Sequence, residues 1–294
     1  MGDILSKAIT KDGFFKIATV VTTDTVNQAH TYHQTMPVAS AAIGRLLTAG
    51  LLMADGMKED EASLTLQLRG DGPLGTLVVV ADTKGGVKGY VANPAADLPL
   101  KENGKLDVGG GVGKGTLSVI RDLKMREPYI GQIPIQTGEI GDDLAYYFMQ
   151  SEQIPSVVAL GVLVDRDYSI MHAGGFLIQV MPGCDDKSLT KLENSIQGLM
   201  SVTDMLKQGM SAEDMIKYIM LGFDVDYLGE KPVSYCCDCG RERMERAIIS
   251  LGKKEIRDLI DEQGEAEIVC HFCNKGYAFN KEELEDLLCK STRD

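Results

Sequence analysis

The chain has 294 residues, of which 44% are hydrophobic and 25% charged, and these are ordinary values for a globular protein of two or three structural units. Its formal charge of −13 argues against a nucleic-acid partner, because phosphate binding needs clustered Lys and Arg. The first residues lack the basic and apolar regions of a signal peptide, so we do not expect secretion.

The beginning of the chain predicts a sheet packed around one buried helix. A turn at residues 11–13 separates two β-leaning runs, 4–9 and 14–22. Residues 37–53 start with a proline and carry small or apolar side chains on nearly every face, so they predict a helix in the middle of its domain. The uncharged apolar part, 46–54, is too short for a membrane span, and we expect no membrane partner.

Alternating apolar residues, interrupted by glycine turns, predict an antiparallel meander and further strands after it. The β-leaning runs are residues 64–68, 76–81, 87–91, 116–122, 129–136 and 169–180. An amphipathic helix is expected at 142–152. Residues 1–182 are therefore predicted to form an N-terminal α+β domain.

The next segment, residues 183–230, predicts a helical linker. Residues 189–199 keep a helical period, and Ser211 with Asp214 three positions later is typical of an N-cap before a helix at 215–221. Six of the fourteen methionines lie between Met181 and Met220. Methionine at helical spacing usually fills a core, yet methionine-rich helices also form the adaptable surfaces of promiscuous binders.

Five of the seven cysteines lie in two short segments of the last part, residues 231–294. They are Cys236, Cys237, Cys239, Cys270 and Cys273. Paired cysteines two residues apart, repeated after one small structural unit, are typical of a tetrahedral zinc site. An odd number of cysteines, clustered for metal, fits a reducing cytosol, so we expect a cytoplasmic protein with a small C-terminal zinc-binding domain.

The neighbours of the second pair favour a zinc knuckle over a thioredoxin-type redox pair. Alternation at 265–269, a turn at 274–276 and a return strand at 277–279 place Cys270 and Cys273 at a hairpin tip. A thioredoxin-type pair would instead begin a helix.

The ligand set within the first segment stays open at this point. Cys236 with Cys239 makes the usual C-x-x-C spacing, whereas Cys237 with Cys239 makes C-x-C, and spacing favours the former. His271 could replace one sulfur. Four sulfur ligands leave no position for water, so the metal would be structural or linked to redox chemistry.

Other chemical candidates are weaker. Residues 109–116 are rich in glycine, but Gly115 stands where a Walker A loop requires Ser or Thr, and a β-leaning run follows instead of a helix. ATP binding is therefore not expected. Two further polar groups carry no catalytic signature: the scattered His30, His33 and His172, and the acidic Glu139, Asp142 and Asp143, which fit a solvated helix start. We predict no catalytic residues and no enzymatic activity.

Nearly the whole chain resembles the 33 kDa chaperonin family, the bacterial redox-regulated heat-shock holdases. Besides the cysteine segments, the matching stretches are residues 37–45, 138–143, 151–156 and 173–176. The family pattern is C-x-C followed by C-x-x-C. The resemblance therefore implies Cys237 instead of Cys236, and a zinc site of Cys237, Cys239, Cys270 and Cys273 with one Zn²⁺ per reduced chain.

The resemblance also implies a mechanism. An oxidant would form the disulfides Cys237–Cys239 and Cys270–Cys273, expel zinc, unfold the C-terminal domain and loosen the linker. The protein would then hold unfolding client proteins without ATP, and it would form homodimers mainly when oxidised. Two alternatives remain: a zinc-stabilised cytosolic protein with an unrecognised enzymatic N-terminal domain, and a zinc-ribbon nucleic-acid module, which the negative charge disfavours.

Overall fold

A computed structural model describes the fold of residues 2–59 and 61–291. The chain divides into two compact units, the first ending at Cys236 and the second beginning at Cys237. Both units combine helices and strands, so the predicted α+β class is confirmed. The three-part division at residues 182 and 230 stays a prediction.

The first unit contains two sheets and seven α-helices in its described part. Its strands are β1 (Ile4–Thr10), β2 (Phe15–Val21), β3 (Ser63–Gly70), β4 (Thr76–Asp82), β5 (Gly86–Val91), β6 (Gly115–Asp122), β7 (Tyr129–Pro134), β8 (Ser156–Val164), β9 (Ile170–Val180), β10 (Val225–Pro232) and β11 (Ser234–Tyr235). Its helices are α1 (Thr23–His33), α2 (Pro37–Ala54), α3 (Val108–Val112), α4 (Gly141–Tyr147), α5 (Asp186–Gln197), α6 (Val202–Lys207) and α7 (Ala212–Ile219), with a π-helical turn, Phe148–Glu152, after α4.

One sheet has the order β10-β1-β2-β9-β8 and the other the order β11-β5-β4-β3-β6-β7. All neighbouring strands are antiparallel except β11 and β5. The predicted opening strand pair and the meander are therefore confirmed.

Helix α2 is the buried helix that the sequence predicts, and it packs against both sheets. A Cβ at Gly44 would lie 2.9 Å from Val162 of β8, and one at Gly50 would lie 2.9 Å from Val79 of β4, so neither position has room for a side chain. The expectation that this stretch is too short to span a membrane was wrong as to length. By length and composition α2 could span one, but 89% of it is buried inside the fold, as in the core helix of a globular protein.

Three strands were missing from the sequence-based prediction, and one of them, β11, has only two residues. Strand β8 is a short uncharged apolar run, which periodicity alone does not distinguish from a buried helix. Strand β10 lies in a stretch predicted as helical, and that expectation was wrong. It pairs with β1 along the sheet edge, where the Ser6 hydroxyl donates to Glu230 at 2.6 Å, and a register shift interrupts its alternation.

Helices α5, α6 and α7 cover one face of the five-stranded sheet. A separate apolar cluster joins strand residues such as Phe15, Ile17 and Ile178 to Met215 and Ile216 of α7. The predicted helix start is confirmed, because the Ser211 hydroxyl accepts the N–H of Asp214 in a capping box. Most linker methionines thus lie in or against a core.

The glycine-rich stretch contains α3, followed directly by β6. Gly113 has a φ of 74°, and a Cβ there would lie 2.5 Å from the main-chain nitrogen of Gly72. The absence of a side chain here therefore allows the backbones of two loops to approach each other closely.

The second unit contains α8 (Arg241–Leu251), α9 (Lys253–Glu262), β12 (Glu265–Val269), β13 (Gly276–Asn280) and α10 (Lys281–Lys290). Strands β12 and β13 form the predicted hairpin. Asn280 caps α10 as expected, since its side chain accepts the N–H of Glu283 at 3.0 Å.

Candidate metal centre

Four cysteine sulfurs converge in the second unit. Cys237, Cys239, Cys270 and Cys273 place their Sγ atoms within 4.8 Å of one another. The Sγ atoms of Cys237 and Cys270 lie 3.7 Å apart, and those of Cys239 and Cys273 lie 3.3 Å apart. Four sulfurs at about 2.3 Å from one tetrahedral ion would lie about 3.8 Å from each other. The cluster therefore has the size of a tetrahedral zinc–sulfur site.

The turn of the β12–β13 hairpin positions the second pair. The N–H of Asn274 donates to the Cys270 carbonyl at 2.8 Å, and the N–H of Cys270 donates to the Lys275 carbonyl at 3.0 Å. Asn274 takes the left-handed conformation with a φ of 56°, which Asn tolerates better than most residues. The chain thereby bends sharply enough for the thiols of Cys270 and Cys273 to share one side.

The first pair lies just before α8. Gly240 is the extended N-cap residue of that helix, so Cys237 and Cys239 lie on non-helical backbone. Arg243 pairs with Asp238 at 2.7 Å on the solvent side. The helix start thus fixes where this short segment ends.

The cysteines belong to the small core of their unit. Cys270 is 6% exposed, and the other three pack against a cluster that includes Ile248, Phe279 and Leu284. Replacing these cysteines, or moving their side chains apart, would therefore disturb the core of the unit as well as the site.

The four thiols differ in their electrostatic surroundings. Burial raises the pKa of the Cys237 thiol and of the Cys273 thiol. Burial also acts on Cys239, but the hydrogen bonds from Tyr277 and Cys273 outweigh it and lower the pKa of that thiol to about 7. The Tyr277 hydroxyl lies 3.2 Å from the Cys239 sulfur, and this hydrogen bond raises the pKa of Tyr277 to about 12. Cys239 is thus the thiol most readily held as thiolate.

The residues present fit a zinc ion. Four sulfur donors at tetrahedral separations, on the core side of a small unit, are the donor set of structural zinc sites. Such a site has no open position at which a water could be activated. The arrangement can stabilise a fold and can undergo thiol oxidation, but it cannot perform metal-assisted hydrolysis.

Cys236 lies outside the group of four, so the preference drawn from spacing was wrong about which sulfurs converge. The main chain at Cys236 continues the pairing of β11 with β5, with its N–H donating to Val87 at 2.8 Å, and its side chain is exposed. Cys184 and Cys289 are also outside the group.

The other predicted polar groups have structural partners. Glu139 pairs with Arg45 at 2.6 Å and with Lys101. Burial would raise the pKa of Glu139, but the two cations outweigh it and hold that pKa below its usual range. Asp143 is fully buried, so the expectation of a solvated helix start was wrong for this residue. Its carboxylate accepts N–H groups of Gln136, Thr137 and Ile140 at 2.7–3.0 Å.

The histidines also have local roles. The His33 ring lies 3.1 Å from the Gly89 carbonyl, and the His30 ring lies 3.2 Å from the Thr35 hydroxyl. The functional side chain that sequence reasoning missed is Tyr277. The sequence signal that could have identified Tyr277 is its position on the return strand, four residues after Cys273. Side chains alternate between the two faces of a strand, and this position faces the core.

Comparison with known proteins gives one consistent result. A family model described as "Hsp33 protein" matches residues 3–280. The chain is 48% identical over 290 residues to the "33 kDa chaperonin" of Clostridium acetobutylicum, covering 98% of both chains. It is 50% identical to the protein of the same name from Clostridium perfringens, covering 98% of this chain and 92% of the relative. Its fold is similar to the crystal structure of the 33 kDa chaperonin from Thermotoga maritima, with a TM-score of 0.92, 36% identity and full coverage of both chains.

Proposed function

The chain belongs to the Hsp33 family, and from this premise we propose that it is a redox-regulated chaperone that holds unfolding proteins without ATP. Family membership supports the chaperone function itself. The relatives are named as chaperonins, which are not enzymes, and the expectation of no enzymatic activity agrees with that. The observation that carries the redox part is the convergence of four cysteine sulfurs within 4.8 Å.

In the reduced state, Cys237, Cys239, Cys270 and Cys273 would hold one zinc ion as thiolates. Zinc, when bound, contributes folding free energy to a small domain, on the order of 10–16 kcal/mol in finger-sized peptides. The hydrophobic core of so small a unit supplies only about 3–5 kcal/mol. The second unit therefore depends on the four thiolates for its fold.

Oxidation would form one disulfide between Cys237 and Cys239 and another between Cys270 and Cys273. Each disulfide forms as two thiolates give up two electrons, and one hydrogen peroxide takes these up with two protons from solvent to give two waters. The cysteines can then no longer bind zinc, and the second unit unfolds. In the reduced fold the short sulfur–sulfur distances lie between the two segments: Cys237 to Cys270 at 3.7 Å and Cys239 to Cys273 at 3.3 Å. The proposed pairs instead join the cysteines nearest to each other along the chain, so they close the shortest loops.

The client surface is proposed to lie under the linker helices. Helices α5–α7 cover the strand residues Phe15, Ile17, Phe176 and Ile178, all of which are buried. Residues 183–230 would act as the linker. When the linker helices detach from the sheet, this apolar face would become accessible to unfolding proteins. We further propose a cytoplasmic location and a homodimer mainly in the oxidised state.

The test is a client-aggregation assay at one temperature. It compares reduced protein, peroxide-treated protein and the Cys270→Ser, Cys273→Ser double variant, with zinc release followed by a chelating dye. We expect wild type to protect a thermally unfolding client only after peroxide, together with loss of about one zinc per chain. If peroxide-treated protein aggregates by itself and protects nothing, the chaperone switch is refuted and the zinc is merely structural. A requirement for ATP would also contradict the proposal.

A further inference from the structure

Strand β7 forms an open edge of the six-stranded sheet. It is the last strand in the order, and in the described part of the chain no strand pairs with its outer side. Its register with β6 runs without a bulge from the pair Arg121 and Tyr129 to the pair Thr116 and Pro134. The pairing is therefore regular over the whole length of the edge strand.

The direction of its main-chain groups follows from one hydrogen bond. The N–H of Ile135 donates to the Gly115 carbonyl of β6 at 2.9 Å. Because main-chain groups alternate in direction along an antiparallel strand, the residues of odd number bond to β6 and those of even number face away. Ile130 and Gln132 thus present their N–H and C=O groups outward. Pro134, at the next outward position, has no N–H, and its carbonyl accepts a hydrogen bond from the side-chain amide of Gln136 at 2.9 Å.

The other edges of the two sheets in the first unit are protected. Strand β10 contains a bulge and carries Glu230, Lys231 and Pro232, which are devices that prevent strand addition. At β8, helix α4 lies against the edge, and a Cβ at Gly141 would be 3.3 Å from the Val158 carbonyl. Strand β11 has only two residues.

Within Tyr129–Pro134, strand β7 carries one such device, Pro134 at its end. No residue from Tyr129 to Pro134 is charged, and its side chains Tyr129 and Ile130 are 48% and 60% exposed. Met125, in the turn before it, is 72% exposed. An exposed, apolar edge strand without a bulge is a template for pairing with another extended chain.

We propose that β7 is a docking edge for an extended, uncharged apolar segment of an unfolding protein, which adds to the sheet as a further strand. The proposal rests on the proposed chaperone function and names one of its client contacts. Main-chain groups recognise any extended backbone, which suits clients of many sequences. A second copy of this chain fits less well, because a stable interface needs about 20–30 residues on each side and β7 offers six.

This contact does not depend on the redox state. All seven cysteines are free thiols in the structure, and the β7 edge is already open. The edge would therefore bind extended chain weakly before oxidation, whereas the face under α5–α7 becomes available only afterwards.

The test uses a fluorescein-labelled ten-residue Val/Thr peptide and fluorescence anisotropy. The control peptide is N-methylated at every residue and cannot donate main-chain hydrogen bonds. Gln132→Pro removes one outward N–H, whereas Gln132→Ala keeps it, so the two variants differ at the group in question. We expect reduced and oxidised protein to bind the peptide, the methylated peptide not to bind, and Gln132→Pro to bind roughly two- to tenfold more weakly than Gln132→Ala, as for one lost hydrogen bond.

A second measurement covers the case in which Gln132→Pro fails to fold. Hydrogen exchange of wild type should slow at the amides of Ile130 and Gln132 when the peptide saturates. Unchanged exchange there, equal binding by the two Gln132 variants, or binding of the methylated peptide overturns the proposal. These outcomes are separate from the redox test, since wild type can protect clients after peroxide while its β7 edge binds nothing.

Discussion

The packing of α7 on the sheet allows the proposed switch to be tested without any oxidant. Ile216 is fully buried in the cluster between the linker helices and the five-stranded sheet. Replacing a buried Ile by Ala costs about 2–5 kcal/mol. Since 1.4 kcal/mol is a factor of ten, Ile216→Ala should raise the open population of the linker about 30-fold or more.

The assay is client protection by reduced protein, with hydrogen exchange over α5–α7 and zinc content measured on the same samples. We expect reduced Ile216→Ala to exchange faster in these helices, to keep its zinc and to protect the client in part. The substitution loosens the linker helices directly, so the cysteines need not be oxidised.

The matched control is Ile43→Ala in α2, which removes the same atoms from a buried position in the main core. It should lower the stability of the first unit by a similar amount without selectively opening the linker. Faster linker exchange in Ile216→Ala with no gain in protection would refute the client surface under α5–α7. Equal protection by Ile43→Ala would show that general destabilisation is the cause.

Three further predictions concern single side chains. Asp143→Ala removes a buried carboxylate that accepts three N–H groups, of which that of Ile140 is buried, and should lower the free energy of unfolding by about 3–5 kcal/mol in a denaturant titration, whereas Asp142→Ala, at an exposed position, should change it by less than about 1 kcal/mol. Two lysines outweigh burial and hold the pKa of Asp55 below its usual range, so its ion pairs stabilise the fold above pH ~4 and the contribution is lost as pH falls through the lowered pKa. Asp55→Asn should therefore lower the Tm at pH 7, and a difference from wild type that does not shrink in acid would contradict this. Cys236→Ser should keep about one zinc per reduced chain and Cys237→Ser should lose it, as measured by metal analysis; the reverse result would mean that the C-x-x-C spacing decides the ligands.

Local patterns in the sequence were sufficient for several features of the fold. Residues 37–53 are small or apolar on nearly every face, a pattern that predicts a helix removed from water, and the burial of α2 confirms it. The caps at Ser211 and Asn280 were predictable because a side chain that accepts a nearby N–H acts within one helical turn. The hairpin around Cys270 and Cys273 follows from the same short-range logic.

Other features depended on partners far away in the chain. Ser6 and Glu230 are separated by 224 residues, and only their pairing turns a polar, bulged stretch into a strand. Spacing alone favoured Cys236, but its main chain is taken up by pairing with Val87, and the sulfur of Cys237 joins the cluster instead. Caps and periodicity are set by neighbours along the chain, whereas an edge strand or a choice between adjacent thiols is set by which distant backbone supplies the hydrogen bonds. The sequence by itself therefore determined the kind of site and the buried helix, and the tertiary structure decided which sulfurs meet and which strand edge stays open.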